Sequence, residues 1–179
     1  LLFPWGALPL VADGVRSTNR WTQLRFQTIL EGLVDRYART RVLRVPPERI
    51  FRAFTQADAF ARWLSPFGFT AQVFELDVRV GGRWRMAFTN FSSGGSHSFG
   101  GIYLVVEPNC KLSYTSAFDD PNLPGEMVTT VTLSPVSCGT SVTFEQSGIP
   151  EVIPPEMCYL GWQESLLQLA QLVEPDIPG

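Results

Sequence analysis

The chain holds one histidine, His97, in 179 residues. A histidine-based zinc site needs more than one such ligand, so that class is set aside. Ser-His-Asp chemistry would need a serine in a strained turn beside His97, and no stretch marks one. A loop position with no catalytic task is the ordinary reading of His97, and a general base at a cavity entrance is the sharper one. Cysteine is also scarce. Cys110, Cys138 and Cys158 are an odd number without metal spacing,. They read as reduced thiols, which points to a cytoplasmic protein. No apolar run approaches the roughly 20 residues of a membrane span. No basic block exists either: the net charge is −3 and the arginines are scattered among acids. That argues against a nucleic-acid partner. The apolar start, Leu1 to Leu10, lacks a basic region, carries Pro4 and Pro9, and shows no clear small-residue cleavage site. It reads as an arm rather than a signal peptide.

What is present is a globular composition. Hydrophobic residues make up 45% and charged residues 17%, which suits one domain with a real core and a short appendage. The stretch Phe74 to Phe88 organises the rest. Phe74, Leu76, Val78 and Val80 alternate with Glu75, Asp77 and Arg79. Trp84, Met86 and Phe88 then alternate with Arg83, Arg85 and Ala87. Period-two alternation predicts two strands with one dry, aromatic face. Gly81-Gly82 is suited to a two-residue turn between them. Asp77, Arg79, Arg83 and Arg85 on the wet face predict cross-strand ion pairs. Phosphate binding at Gly81-Gly82 lacks the strand–loop–helix context.

Along the chain, apolar residues Phe26, Ile29, Leu30, Leu33 and Tyr37 predict an amphipathic helix over about residues 20–35,. Arg39 to Val45 reads as a strand. Pro47 opens a short helix to Phe54, and Asp58 to Leu64 forms a second. Further strands are expected at 99–106, 112–118, 128–133 and 141–146, with Pro135 to Gly139 linking the last two. Leu112, Tyr114, Ser116 and Phe118 share one face, as do Val142 and Phe144. Pro154-Pro155 opens a helix to about Val173, with Cys158, Trp162, Leu166, Leu169 and Val173 in one stripe. Tyr159, Leu160, Leu167 and Ala170 broaden that stripe, which predicts a mostly buried helix. Short turns between consecutive strands favour an antiparallel meander. The fold class is therefore α+β: a curved antiparallel sheet wrapped around a long C-terminal helix, with two short helices after the first strand and an extra N-terminal helix.

The residues carry a family resemblance. Its pieces are Arg41-Val42 leading to Pro46-Pro47-Glu48-Arg49-Ile50-Phe51-Arg52-Ala53-Phe54, then Arg62-Trp63-Leu64-Ser65-Pro66. Asp77-Val78-Arg79-Val80-Gly81-Gly82-Arg83-Trp84 follows. Gly101-Ile102-Tyr103 with Pro108, Leu112-Ser113-Tyr114-Thr115, Gly139-Thr140, and Gly161-Trp162-Gln163-Glu164-Ser165-Leu166 with Leu169 complete it. The chain resembles bacterial domains similar to the C-terminal domain of activators of the heat-shock-protein-90 ATPase. These belong to the START-like, SRPBCC, helix-grip superfamily. The resemblance divides the chain into an arm and helix at 1–38, the START-like domain at 39–174 and a tail at 175–179. It implies the helix-grip fold, and it leaves function open because the superfamily hosts carriers, cyclases, toxin-binding proteins and co-chaperones.

A sheet gripping a helix leaves a cavity between them. Candidates to line it are Trp63, Trp84, Met86, Phe88, Tyr103, Tyr114, Phe118, Phe144, Tyr159 and Trp162. For any one of them, plain core packing is the ordinary alternative. Gly161, inside the helix, points to close packing against a strand, with a widened cavity mouth as the alternative. The leading expectation is non-catalytic binding of a small hydrophobic or aromatic molecule, with no cofactor and no metal. The enzymatic alternative is a cyclase, dehydratase or hydrolase using the same cavity, marked by His97, Glu145 or a tyrosine hydroxyl inside it. The third reading is a co-chaperone-like interaction module. The sheet edges and the extra helix also offer surface for a homodimer.

Overall fold

The computed structural model describes residues 36–150 and 153–177. The helix expected over residues 20–35, and the arm before it, lie outside them. The described elements are β1 (Arg36–Leu43), α1 (Pro47–Thr55), α2 (Ala57–Leu64), β2 (Phe69–Leu76), β3 (Arg83–Asn90), β4 (Ser96–Glu107), β5 (Lys111–Phe118), β6 (Met127–Val136), β7 (Gly139–Ser147) and α3 (Pro155–Val173). The strands form a seven-stranded sheet in the order β1-β7-β6-β5-β4-β3-β2. Strands β2 to β7 run as a meander, and β1 adds antiparallel to β7 with Arg36 opposite Ser147 and Leu43 opposite Thr140. No described helix is long and apolar enough to cross a membrane.

Proline places the first helix. Pro47 takes the first helical turn, where its missing N–H costs nothing,. The i, i+3, i+4 spacing of Ile50, Ala53 and Phe54 buries one face of α1,. Phe60 and Trp63 do the same for α2. Trp63 Nε1 donates a 2.9 Å hydrogen bond to the Ala53 carbonyl, which ties the two short helices together. The first strand starts three residues earlier than expected and stops at Leu43. Val45, past its end, is still buried, and its carbonyl accepts a 2.7 Å bond from Thr140 Oγ1.

The central hairpin differs from its sequence pattern in two places. Residues 77–82 form a six-residue connection, so Gly81-Gly82 is not a two-residue hairpin turn. Gly81 has φ +77°, and a Cβ at Gly82 would collide with the Asp77 carbonyl. The Gly81 N–H donates to the Tyr103 carbonyl (2.8 Å), and the Tyr103 N–H donates to the Gly82 carbonyl (2.9 Å), so the connection folds onto β4. Second, the register between β2 and β3 shifts between Val73 and Glu75. The bulge adds one residue, Phe74, and reverses the alternation there. Ala71, Val73, Leu76 and Val78 consequently pack on the core, whereas Phe74 and Val80 are exposed. On β3 the inner face follows the pattern, with Trp84 and Met86 buried and Phe88 half-buried, whereas Ala87, expected on the wet face, is buried as well. The tight two-residue turn falls instead at Ser137-Cys138, between paired Val136 and Gly139.

The charges on this hairpin pair less regularly than strict cross-strand pairing requires. Arg83 reaches Glu75 across the strands at 3.7 Å. Arg79 pairs with Asp77 inside the connection at 2.8 Å, and Arg85 reaches Asp119 of the β5–β6 loop at 2.5 Å. These exposed pairs are worth about 0–1 kcal/mol each.

The C-terminal helix is not mostly buried. Trp162, Leu166, Leu169, Ala170 and Val173 form its buried stripe, but Tyr159, Leu160 and Leu167 are exposed. The helix lies against α2, with lesser contacts to α1 and β1. One side is thereby covered and the other is left to solvent, so the wide apolar pattern exceeds what the fold buries.

Candidate functional site: a cavity between the sheet and the C-terminal helix

One face of the sheet and α3 border an open pocket of about 150 Å³. Its wall on the sheet side is built in rungs set by strand register. One rung is polar: Tyr114 lies opposite Thr129, and Thr129 opposite Gln146. Gln146 Nε2 donates to Thr129 Oγ1 at 3.3 Å and contacts Met127 Sδ at 3.7 Å. Trp162 Nε1 on α3 donates to Gln146 Oε1 at 2.9 Å. The Tyr114 hydroxyl is hydrogen-bonded to Thr129. The next rung pairs Ser116 with Met127. Beyond it the wall is aromatic, with Phe88 and Phe99 at 4.8 Å between ring centroids and Phe99 and Phe118 at 5.8 Å. Leu64, Ile153, Cys158, Gly161, Trp162 and Ser165 supply the opposite side.

Burial sets the chemistry of the two titratable groups among the described lining residues. The Cys158 thiol is pushed up to about 11 by desolvation. Desolvation also holds the Tyr114 hydroxyl well above the usual phenol range, reinforced by Tyr103 nearby and opposed by its bond to Thr129. Both are therefore neutral near pH 7. The described lining contains no carboxylate, imidazole or cation. His97 is half-buried on β4 rather than in a loop, and neither it nor Glu145 lines this pocket.

Of the ten residues proposed from sequence, Trp84, Phe88, Tyr114, Phe118 and Trp162 line the pocket. Trp63, Met86, Tyr103 and Phe144 are buried in the core away from it. Tyr159 is 42% exposed on the outer side of α3, with the Arg39 guanidinium 5.0 Å from its ring centre. Sequence reasoning missed Phe99, Ser116, Met127, Thr129, Gln146 and Cys158 as lining residues. For most of these the signal was present, as in-facing positions of alternating strands.

A larger groove of about 440 Å³ lies outside the sheet, between α1, α2 and the end of α3. It is lined by solvated side chains such as Arg52, Gln56 and Arg62. Arg49 within it donates to the Val173 carbonyl at 3.3 Å and to that of Pro175 at 3.4 Å. It thus satisfies carbonyls that the end of α3 leaves open. Among the described residues no cluster of three or more metal-ligating side chains exists, and all three cysteines are free.

The family model described as Activator of Hsp90 ATPase homolog 1-like protein matches residues 44–174. A crystal structure of a Chromobacterium violaceum protein is 54% identical, with a TM-score of 0.78, covering 79% of this chain and 99% of that one. A Mesorhizobium loti protein is 30% identical, with a TM-score of 0.59 and coverages of 79% and 99%. A Rhodobacter sphaeroides protein, at 20% identity and a TM-score of 0.70, covers 78% of this chain and 91% of its own and shares the fold. A search of curated proteins finds no significant match.

Proposed function

The chain belongs to the Activator of Hsp90 ATPase homolog 1-like family, and from that premise we propose that it binds a small, neutral, largely apolar molecule in the pocket between the sheet and α3, without catalysis. The observation that carries this reading is the pocket itself: about 150 Å³, walled by aromatics, with a neutral polar rung. Size narrows the ligand. Drug-sized ligands occupy pockets of about 300–1,000 Å³, whereas an engineered apolar cavity of about 150 Å³ accepts benzene. One ring or a short branched chain fills it, and anything larger would extend through its open side. Neutrality follows from the described lining, which offers an ion no charged partner against its desolvation cost,.

The enzymatic alternative loses ground on the same lining. A thiol pushed up to about 11 holds little thiolate at neutral pH, so Cys158 is a poor nucleophile. The Tyr114 hydroxyl is bound to Thr129 and held protonated. The family description also keeps the co-chaperone reading in view. A pull-down that fails to enrich a heat-shock-protein-90 chaperone counts against it.

Native mass spectrometry of the intact protein tests the leading proposal. The expected spectrum contains a non-covalent adduct of one small neutral molecule, or gains one after incubation with single-ring aromatics. A spectrum of the bare chain under both conditions contradicts it.

A further inference from the structure

The polar groups of the pocket are not equally engaged. Trp162 Nε1, Gln146, Thr129 and Tyr114 form one continuous hydrogen-bonded run. Ser165 Oγ donates to the Leu64 carbonyl at 3.1 Å. Ser116 differs. Its residue is 6% exposed and it lines the pocket. Among the described residues its hydroxyl has no hydrogen-bond partner, yet it is not sealed among packed atoms. Its open side is therefore the pocket. Strand register places it between the engaged polar rung and the aromatic end formed by Phe88, Phe99 and Phe118.

We infer that Ser116 selects the ligand: the pocket takes a single-ring molecule bearing one neutral hydrogen-bonding oxygen, a phenol or an aryl alcohol or carbonyl, whose oxygen bonds to Ser116 Oγ while its ring lies toward Phe88, Phe99 and Phe118. This rests on the cavity-binding reading and deepens it. A hydrocarbon that covers this hydroxyl strips it of solvent and leaves it unpartnered, at a cost that a ligand oxygen placed there avoids. A water there is displaced when the ring enters, so the ligand's own oxygen must take its place. A hydroxyl both donates and accepts, so Ser116 admits either an alcohol or a carbonyl. The described lining offers no cation to hold a carboxylate, so a benzoate-type anion should bind more weakly than phenol,.

Calorimetric titration with phenol and toluene, on the intact protein and on Ser116→Ala, tests this. The expected result is that Ser116→Ala weakens phenol about three- to tenfold, the effect of one hydrogen bond. Toluene affinity stays unchanged or improves, which also shows that the variant is folded. If phenol and toluene bind the unaltered protein and Ser116→Ala changes both equally, the role of Ser116 is overturned while cavity binding stands. If neither binds the unaltered protein, single-ring binding fails and this inference falls with it.

Discussion

Trp162 Nε1 and Gln146 Oε1 lie 2.9 Å apart and form the hydrogen bond that joins α3 to β7 across the end of the pocket. Gln146 is 9% exposed and passes the run on to Thr129. The bond therefore does two things at once. It holds the helix at a fixed distance from the sheet, and it keeps the polar atoms of the lining engaged.

Removing this acceptor should loosen the grip. Gln146→Leu deprives the Trp162 indole of this partner and removes the bond to Thr129. The expected loss is about 1–3 kcal/mol, the usual cost of breaking a buried hydrogen bond on one side. Urea unfolding followed by tryptophan fluorescence measures it. A midpoint unchanged from the parent protein contradicts the structural role given to Gln146.

Core and lining aromatics should respond differently to truncation. Phe144 is 1% exposed and packs between Phe54 and Trp162, with ring centroids at 6.0 and 5.1 Å. Phe144→Ala should cost about 3–5 kcal/mol. Phe118 is half-buried at the pocket's edge, so Phe118→Ala should cost less and widen the pocket. Parallel chemical denaturation of the two variants gives the comparison, and equal losses would count against this division.

Gly101 has no room for a side chain. A Cβ there would overlap the Thr115 carbonyl oxygen on the adjacent strand. Gly101→Ala should destabilise by about 3 kcal/mol or more, because β4 and β5 must part to admit it. Gly95 in the β3–β4 turn meets only the Ser93 hydroxyl at 3.4 Å, so Gly95→Ala should stay within about 0.5 kcal/mol. Thermal unfolding of the two variants separates the sites.

The thiols should differ in reactivity. Cys110 and Cys138 are exposed, while desolvation pushes Cys158 up to about 11 from an ordinary value of 9.0. At pH 8 a thiol reagent should label the first two quickly and Cys158 slowly, and a pocket ligand should slow Cys158 further. The linkage has a definite sign. The folded state holds the Cys158 proton more tightly than the unfolded state, so stability is full below about pH 9 and declines as pH rises toward 11,. The raised Tyr103 and Tyr114 hydroxyls act in the same direction at higher pH. Mass-resolved labelling, with denaturation midpoints from pH 7 to 11, checks both statements.

Much of the fold was readable from the order of residues, because its causes are local. Pro47 and the spacing of Ile50, Ala53 and Phe54 define α1, and the alternation of Trp84, Met86 and Phe88 defines the inner face of β3. The misreadings have non-local causes. The bulge that turns Phe74 outward depends on how β2 pairs with β3. The use of Gly81-Gly82 in a longer connection depends on Tyr103, which lies on another strand. Tyr159, Leu160 and Leu167 look buried because periodicity reports polarity and not coverage. The site was legible only by face. Ser116 was visible as in-facing beside Tyr114 and Phe118, but only register shows that its rung lies next to the Thr129–Gln146 run.

Indole proton–nitrogen spectra recorded while phenol or toluene is titrated into the protein test the central claim most directly. Trp84 and Trp162 line the pocket, whereas Trp63 is fully buried away from it and bonded to Ala53. Saturable shifts of the Trp84 and Trp162 Nε1 signals, with Trp63 unmoved, are the expected result. Indole signals that stay in place throughout the titration, or a shift at Trp63 alone, would contradict a ligand site between the sheet and the C-terminal helix.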